Sequence, residues 1–326
     1  LRTGCLIVTY NSAGHLAACV ESCLRFGDRF DCGIVVVDNA SADSTCDIAR
    51  GYAPLELIAN RTNKGFAAAV NEGFRILSRA DAVLLLNPDA VLLDDPRPLI
   101  DALGDSSVGA ASGLLVDSAG DPQQGFSIRR FPTALTLCFE VLGLNRLWSS
   151  NPVNRRYRCL DLDPRGDLDV EQPAGAFLLI RRDAWQAAGG FDEGFHPLWF
   201  EDVDFLLRLR RLGWRVRHLG RVRARHAGGH SIAALSWSDR QLYWYDSLLR
   251  FVRLHFTGGG RLIVFLAVSA ALLPRSIWAV FRLGSVRPVA VYCKLMRSRS
   301  AVILAEAPEP HSGGHDMERQ ARARGS

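Results

Sequence analysis

The chain has 326 residues, 48% of them hydrophobic, and a net charge of +5 carried almost wholly by arginine, since Lys64 and Lys294 are its only lysines. This is ample for a sizeable core in one large domain or two smaller ones, and so modest an excess gives no sign of a nucleic-acid partner. The eight cysteines form no Cys-x-x-Cys pair, which speaks against a zinc or thioredoxin-like site.

Residues 5–9 are a β-branched run ending at Tyr10-Asn11-Ser12, where Ser12 is placed to cap a helix starting near His15. The apolar run after Arg2 is too short for a signal peptide, so reduced cysteines and a cytosolic setting are expected. A second buried strand spans residues 33–37 and runs into Asp38-Asn39-Ala40-Ser41-Ala42-Asp43, with Ser41 or Asp43 capping the helix that reaches Arg50. A weaker strand covers 55–58, a helix 66–77, and two further strands 82–86 and 108–116. Strands alternating with helices indicate βαβ units and a mostly parallel sheet. The polar residues that follow the strands then fall along one sheet edge, where open α/β sheets bind ligands. Asn87-Pro-Asp89 follows the run 83–86; Asp89 there is an oxygen ligand for a divalent cation holding phosphates, or the tripeptide is simply a turn.

Four motifs occur in order: Val8-Thr-Tyr-Asn-Ser12, Val37-Asp-Asn-Ala-Ser41, Asn63-Lys-Gly-Phe66 and Asn87-Pro-Asp89. The set resembles the family 2 glycosyltransferases of GT-A fold, a Rossmann-like nucleotide-binding α/β architecture, and within them the bacterial rhamnosyltransferases of cell-wall and O-antigen assembly. The resemblance runs from about residue 5 to about residue 231. It implies that Thr9, Asn11, Asp38, Asn63, Lys64 and Asn87 serve the nucleotide, with Asp38 on the base. From the residues alone, Asp38 is equally a helix cap or Asx-turn, and Lys64 beside Gly65 a phosphate contact or a solvated loop charge. Asn71 faces the nucleotide or the surface. Asn87 stands where an aspartate is commoner, leaving Asp89 as the carboxylate ligand of this strand.

Residues 117–131 and 147–173 read as long loops, and such segments often form lids or binding loops. Arg129 and Arg130 lie there as phosphate contacts or a solvated pair. A strand at 177–180 and a short helix closed by Gly189-Gly190 follow. In Trp199-Phe-Glu-Asp-Val-Asp204, three acids crowd a helix N-terminus, a placement that the helix dipole favours by itself. The resemblance makes Asp202 the catalytic base and places Glu201 and Trp199 in the acceptor pocket; a carboxylate suffices to take a hydroxyl proton. His226-Ala-Gly-Gly-His-Ser231 offers two histidines at i and i+4, of which His226 matches a metal ligand and His230 does not.

Beyond this, 242–256 is aromatic and basic, while 262–273 is uncharged but shorter than a membrane span. The segment fits helices lying in a membrane interface, or a hairpin packed on the sheet domain or forming a homodimer. The expected division is a GT-A domain over 1–235, a helical membrane-associating extension over 236–305 and a disordered tail over 306–326. The expected activity is inverting glycosyl transfer with Mg²⁺ or Mn²⁺ held by Asp89 and His226. The resemblance implies dTDP-rhamnose or another nucleotide sugar such as a UDP-sugar as donor, and a polyprenyl-linked saccharide as acceptor at the inner face of the bacterial plasma membrane. A sugar nucleotidyltransferase would need a Gly-rich loop that Val8-Thr-Tyr-Asn-Ser12 lacks; a non-catalytic membrane-tethered nucleotide-sugar binder is the other alternative.

Overall fold

The computed structural model describes residues 1–228 and 235–283, with the single positions 289 and 293. Its strands are β1 Thr3–Thr9, β2 Ile34–Asp38, β3 Glu56–Ala59, β4 Ala82–Leu86, β5 Ala90–Leu92, β6 Val108–Val116, β7 Ile128–Arg129, β8 Asp167–Asp169, β9 Gln172–Pro173, β10 Phe177–Arg181 and β11 Arg215–His226. The helices are α1 Leu16–Arg25, α2 Thr45–Arg50, α3 Phe66–Ile76, α4 Arg97–Ala102, α5 Ala134–Val141, α6 Leu144–Leu147, α7 Pro152–Tyr157, α8 Arg182–Ala188, α9 Glu201–Arg211, α10 Trp237–His255 and α11 Gly258–Leu283.

One sheet runs β3-β2-β1-β4-β10-β6-β11-β5, with β8 also on β11, while β7 and β9 form a separate ribbon. The strands β3, β2, β1 and β4 are parallel, as their continuous apolar runs indicate. Alternate residues feed two cores: Cys5, Ile7, Val36, Leu84 and Leu86 pack toward α1 and α4, and Leu6, Val8, Val35, Val83 and Leu85 pack toward α3, α8 and α9. The difference from a simple parallel sheet is β10, which is antiparallel to both β4 and β6. A strand buried on both faces carries no sequence mark of its direction. Because β10 runs the other way, residues 174–176 before it arrive at the same edge as the carboxyl ends of β1, β2 and β4. Asn87 N–H, just past β4, donates to Ala176 C=O at 2.9 Å.

One helix start differs from expectation, and at the other the structure selects between two expected residues. Ser12 serves α1 through its carbonyl, which accepts from His15 and Leu16 N–H, while its hydroxyl turns to Tyr10. Asp43, rather than Ser41, accepts from Thr45 N–H at 3.0 Å and starts α2.

The helices α10 and α11 pack on α5 in a third apolar layer with Leu137, Val141, Tyr245, Leu248, Val264 and Val268. The helix α10 is also bonded to the segment before α9: Arg250 makes a double hydrogen bond to Asp192 at 2.7–3.0 Å, and Ser247 Oγ donates to Leu198 C=O at 3.0 Å. Among the described residues, no helix is long and apolar enough to cross a membrane. The opposite side of α11 leaves Leu262, Ile263, Leu266, Ile277, Trp278 and Phe281 half or more exposed; their spacing puts them on one face. His230 and the tail expected at 306–326 lie outside the described residues.

Candidate active site

A cavity of about 590 Å³ opens along the edge where β1, β2 and β4 end, walled by Thr9, Asn39, Asn63, Asn87 and Asp89 on one side and by Trp199–Asp202 and Gly175 on the other. Of the expected nucleotide residues, Thr9, Asn63 and Asn87 line it, and Asn39 joins them. Asp38, Lys64 and Asn11 do not, and each has a structural occupation. Asp38 is 1% exposed. Its Oδ1 accepts from Thr9 Oγ1 at 2.8 Å and Ser41 Oγ at 2.5 Å, and its Oδ2 from Ser41 N–H at 2.8 Å. This is the turn alternative: the carboxylate shapes the loop that presents Asn39. Lys64 Nζ pairs with Glu72 at 3.2 Å on the surface, which is the loop-charge alternative. Asn11 Oδ1 accepts from Ala42 N–H at 2.8 Å, tying the first two loops together. Asn71 points elsewhere, exchanging hydrogen bonds of 3.0 Å with the Phe191 backbone.

Gly65 cannot be replaced without strain. Its φ is +86°, and a Cβ there would stand 2.8 Å from the His196 ring. This close approach lets Phe66 N–H donate to Pro197 C=O at 2.8 Å, holding the segment before α9 against the start of α3. That segment ends with Trp199 and Phe200 at φ +79° and +71°, a conformation costing bulky residues about 1–2 kcal/mol each. Such strain concentrates at functional sites. Here it turns the chain so that Glu201 and Asp202 enter the cavity at the first turn of α9.

The three acids separate into three environments. Asp202 Oδ2 accepts from Gly175 N–H at 3.1 Å and Oδ1 from Val203 N–H at 2.8 Å; a Cβ on Gly175 would lie 3.1 Å from Asp202 Oδ2. Burial pushes Asp202 above the ordinary aspartate range, against the opposing pull of those N–H groups and of the Arg129 charge. Glu201 is 7% exposed, and its Oε2 has no hydrogen-bond partner. Burial and then the Asp202 charge push Glu201 well above its usual range. Of the two, Glu201 is pushed up more strongly, so Asp202 ionises before Glu201 as the pH rises. Asp204 faces away, held by His255 Nε2 at 2.7 Å and by Arg208 at 2.6 Å.

Asp89 and His226, 137 residues apart, meet because β11 pairs with β5, and Asp89 immediately precedes β5. Asp89 Oδ1 lies 3.4 Å from His226 Nε2, and Asp89 Oδ2 accepts from Gly228 N–H at 3.1 Å. Burial raises Asp89, but the His226 and Gly228 contacts outweigh it and hold the carboxylate below its usual range. Gln123 fixes the imidazole: its Nε2 donates to His226 C=O at 2.7 Å, which turns its Oε1 to His226 Nδ1 at 3.1 Å. An amide oxygen only accepts, so Nδ1 carries a proton; the protonated ring then donates from Nε2 to Asp89, whereas the neutral ring has its Nε2 lone pair free for a cation. Phe126 stacks on the imidazole with centroids 5.3 Å apart. Carboxylate oxygen, imidazole lone pair and an orienting amide form a donor set that fits Mg²⁺ or Mn²⁺. Among the described residues no group of three or more His, Cys, Asp or Glu could hold a metal.

Sequence reasoning missed Gln123, Asn39, Gln172, Tyr157, Arg158, Tyr243 and Trp244 as members of the cavity or its support. The long-loop character of residues 117–131 and 147–173 is the one signal that pointed toward several of them. Of the two adjacent arginines, Arg129 lines the cavity, whereas Arg130 pairs outward with Asp161 at 3.1 Å.

A mostly parallel α/β sheet with a cleft at its carboxyl edge, an Asp/His pair and two buried carboxylates opposite fits a GT-A-type glycosyltransferase. The chain belongs to glycosyl transferase family 2, whose family model matches residues 5–183. It is 28% identical over 274 residues to the N-acetylglucosaminyl-diphospho-decaprenol L-rhamnosyltransferase of Mycobacterium tuberculosis, covering 75% of this chain and 86% of that protein. It is 27% identical over 233 residues to the rhamnosyltransferase WbbL of Escherichia coli, covering 69% and 83%. Among solved structures, the fold is similar to GalNAc-T7 with UDP, GalNAc and Mn²⁺, at a TM-score of 0.55, 15% identity and coverage of 78% of this chain and 48% of that one. It is also similar to the mannosyltransferase PcManGT of Pyrobaculum calidifontis with GDP-Man and Mn²⁺, at a TM-score of 0.51, 17% identity and coverage of 99% and 80%.

Proposed function

We propose that this glycosyltransferase transfers L-rhamnose from dTDP-rhamnose, with inversion, to a polyprenyl-diphosphate-linked saccharide of bacterial cell-wall or surface polysaccharide synthesis. The observation that supports the reading is that Asp202 and Asp89 line one cavity, with the buried His226 against Asp89 at 3.4 Å. Asp89 and His226 would hold Mg²⁺ or Mn²⁺, which when bound neutralises charge growing on the leaving diphosphate. Thr9, Asn39, Asn63 and Asn87 line the end that takes the nucleotide. Asp202 accepts the acceptor hydroxyl proton as oxygen attacks the anomeric carbon from the face opposite the leaving group. Glu201, whose Oε2 has no other partner, hydrogen-bonds the acceptor, and Trp199 and Phe200 supply apolar sugar contacts. The names of both relatives support rhamnose as the transferred sugar, and that of the Mycobacterium tuberculosis relative supports the lipid diphosphate. The exposed apolar face of α11 supports peripheral contact with the inner face of the plasma membrane, where such an acceptor resides.

Isothermal titration of dTDP, UDP and GDP, with Mn²⁺ and with EDTA, tests this. Tight binding of dTDP that EDTA weakens is the expected result. A preference for UDP moves the donor to a UDP-sugar with the fold and chemistry unchanged. Binding of all three nucleotides unaffected by EDTA removes the metal from the reading.

A further inference from the structure

The cavity lining also includes Arg129, Tyr157, Arg158 and Thr136, which the nucleotide reading leaves unused. We propose that this cluster is a subsite for the diphosphate of the acceptor, with Arg129 as its principal ligand and Arg158 beside it. The proposal rests on the reading above that the acceptor is a diphosphate-linked sugar.

Arg129 is built into the wall. It lies on β7 directly opposite Gln172 of β9, and residues directly opposite on an antiparallel pair share a face. Its guanidinium sits 5.4 Å from the Phe126 ring centroid and 5.8 Å from that of Tyr157, and its Nε donates to Gly125 C=O at 2.8 Å. These contacts aim the group and leave both terminal nitrogens with no hydrogen bond or ion pair among the described residues. Its charge is close enough to Asp202 to pull that carboxyl down. Most other arginines of the domain are neutralised: Arg2, Arg29, Arg208, Arg215 and Arg223 each face an aspartate. Arg158 is held half-buried, its Nε donating to Asn154 Oδ1 at 3.0 Å and one terminal nitrogen 3.8 Å from Glu140.

A guanidinium with two free terminal nitrogens matches phosphate oxygens bidentately. The donor diphosphate has the Asp89–His226 end, so a second unneutralised cation in the cavity calls for a second anion. The neighbouring side chain fits that anion's sugar: Gln172 is 5% exposed, and its Oε1 has no partner, so it is free to accept from an acceptor hydroxyl. Beyond Arg158 the wall is α5, whose other side packs on α11. An acceptor lying this way puts its sugar at Asp202, its diphosphate at Arg129 and Arg158, and its lipid toward the helix with the exposed apolar face.

The test is equilibrium binding to the full chain of three probes: farnesyl-diphosphate-linked N-acetylglucosamine, octyl N-acetylglucosaminide, which lacks the diphosphate, and dTDP with Mn²⁺. Arg129→Gln should raise Kd for the first probe by about ten-fold or more and leave the other two within about two-fold. Arg129→Lys should recover part of the loss, because charge is kept and the fork is not, and Arg130→Gln should bind all three as the wild type does. Unchanged dTDP affinity reports an intact fold. Equal weakening of both acceptor probes, a loss of dTDP as large as that of the acceptor, or no change at all overturns the proposal. Wild-type protein that binds both acceptor probes equally well overturns it while leaving the acceptor sugar in place. Wild-type protein that binds dTDP but neither acceptor overturns it together with the acceptor class.

Discussion

His255, the last residue of α10, donates from Nε2 to Asp204 Oδ1 at 2.7 Å, joining the C-terminal helical layer to the helix that carries Asp202. The proton position follows from its other neighbour. Arg211 Nη1 lies 2.9 Å from His255 Nδ1 and can only donate, so Nδ1 accepts and Nε2 holds the hydrogen. Burial would raise Asp204, but His255 and Arg208 outweigh it and depress its carboxyl. A carboxyl depressed on folding contributes stability that is complete above the unfolded-state pKa of about 3.9 and lost as pH falls through the lower folded value. Asp204→Asn should therefore lower Tm at pH 7 and narrow the gap from wild type as the pH drops below about 4. His255→Ala should cost about 1–3 kcal/mol, the range for stranding a buried partner. Thermal unfolding of the three proteins at pH 3–7 checks both; a gap independent of pH would exclude the Asp204 linkage.

Glu201 and Asp202 are adjacent in sequence yet expected to respond oppositely to amide substitution. Asp202→Asn removes the base, and transfer should fall by about 10²–10⁴-fold with nucleotide affinity kept. Burial and the Asp202 charge make Glu201 hold its proton to higher pH than Asp202, so Glu201→Gln mimics its protonated form and should retain activity within about ten-fold. Burial lifts Asp202, so the acid limb of kcat/KM should lie above the ordinary aspartate value of about 3.9. Since the Arg129 charge opposes that lift, Arg129→Gln should move the limb further up. Steady-state transfer assays across pH measure all three. Substantial turnover by Asp202→Asn would remove it from the role of base.

How legible was this in the sequence? The strands over 82–86 and 108–116 were readable to the residue, because a run buried on both faces is apolar throughout. The direction of β10 was not, since such a run looks the same either way. At the site, what local order sets was legible: Asn87 and Asp89 follow β4, and Glu201 and Asp202 start α9. The side-chain partners were not. Asp38 accepts from Thr9, 29 residues earlier, because β1 and β2 place the two side by side. Lys64 pairs with Glu72, eight residues on, within α3. Gln123 meets His226 across 103 residues, and no local pattern marks an amide for that role.

Gln123 allows the metal assignment to be tested without touching a ligand. Replacing it with Leu leaves Asp89 and His226 in place but frees the ring to rotate and to carry its proton on Nε2. Orienting partners of this kind are worth about 10–100-fold in metal affinity. Gln123→Leu should raise the Mn²⁺ concentration giving half-maximal activity by that factor and recover most of the wild-type rate at saturating metal. A rate that stays low at every Mn²⁺ concentration would place Gln123 in substrate positioning instead.

The apolar face of α11 gives a prediction for the membrane. Leu266 and Phe281 are 55% and 83% exposed, on the side of α11 turned away from its packed face, which meets α5 and α10. A fully buried side chain of this size contributes about 1.5–3 kcal/mol on leaving water, so two of them embedded at a bilayer surface set a large part of a peripheral affinity. Leu266→Glu with Phe281→Glu should reduce co-sedimentation with phosphatidylglycerol-containing vesicles by about ten-fold or more, adding repulsion from anionic headgroups to the lost apolar contact. Transfer to a short-chain, water-soluble acceptor should be unchanged, whereas transfer to a long-chain acceptor in vesicles should fall with the binding. If the double variant sediments with vesicles like the wild type, α11 does not face lipid, and its apolar side is left for contact with protein.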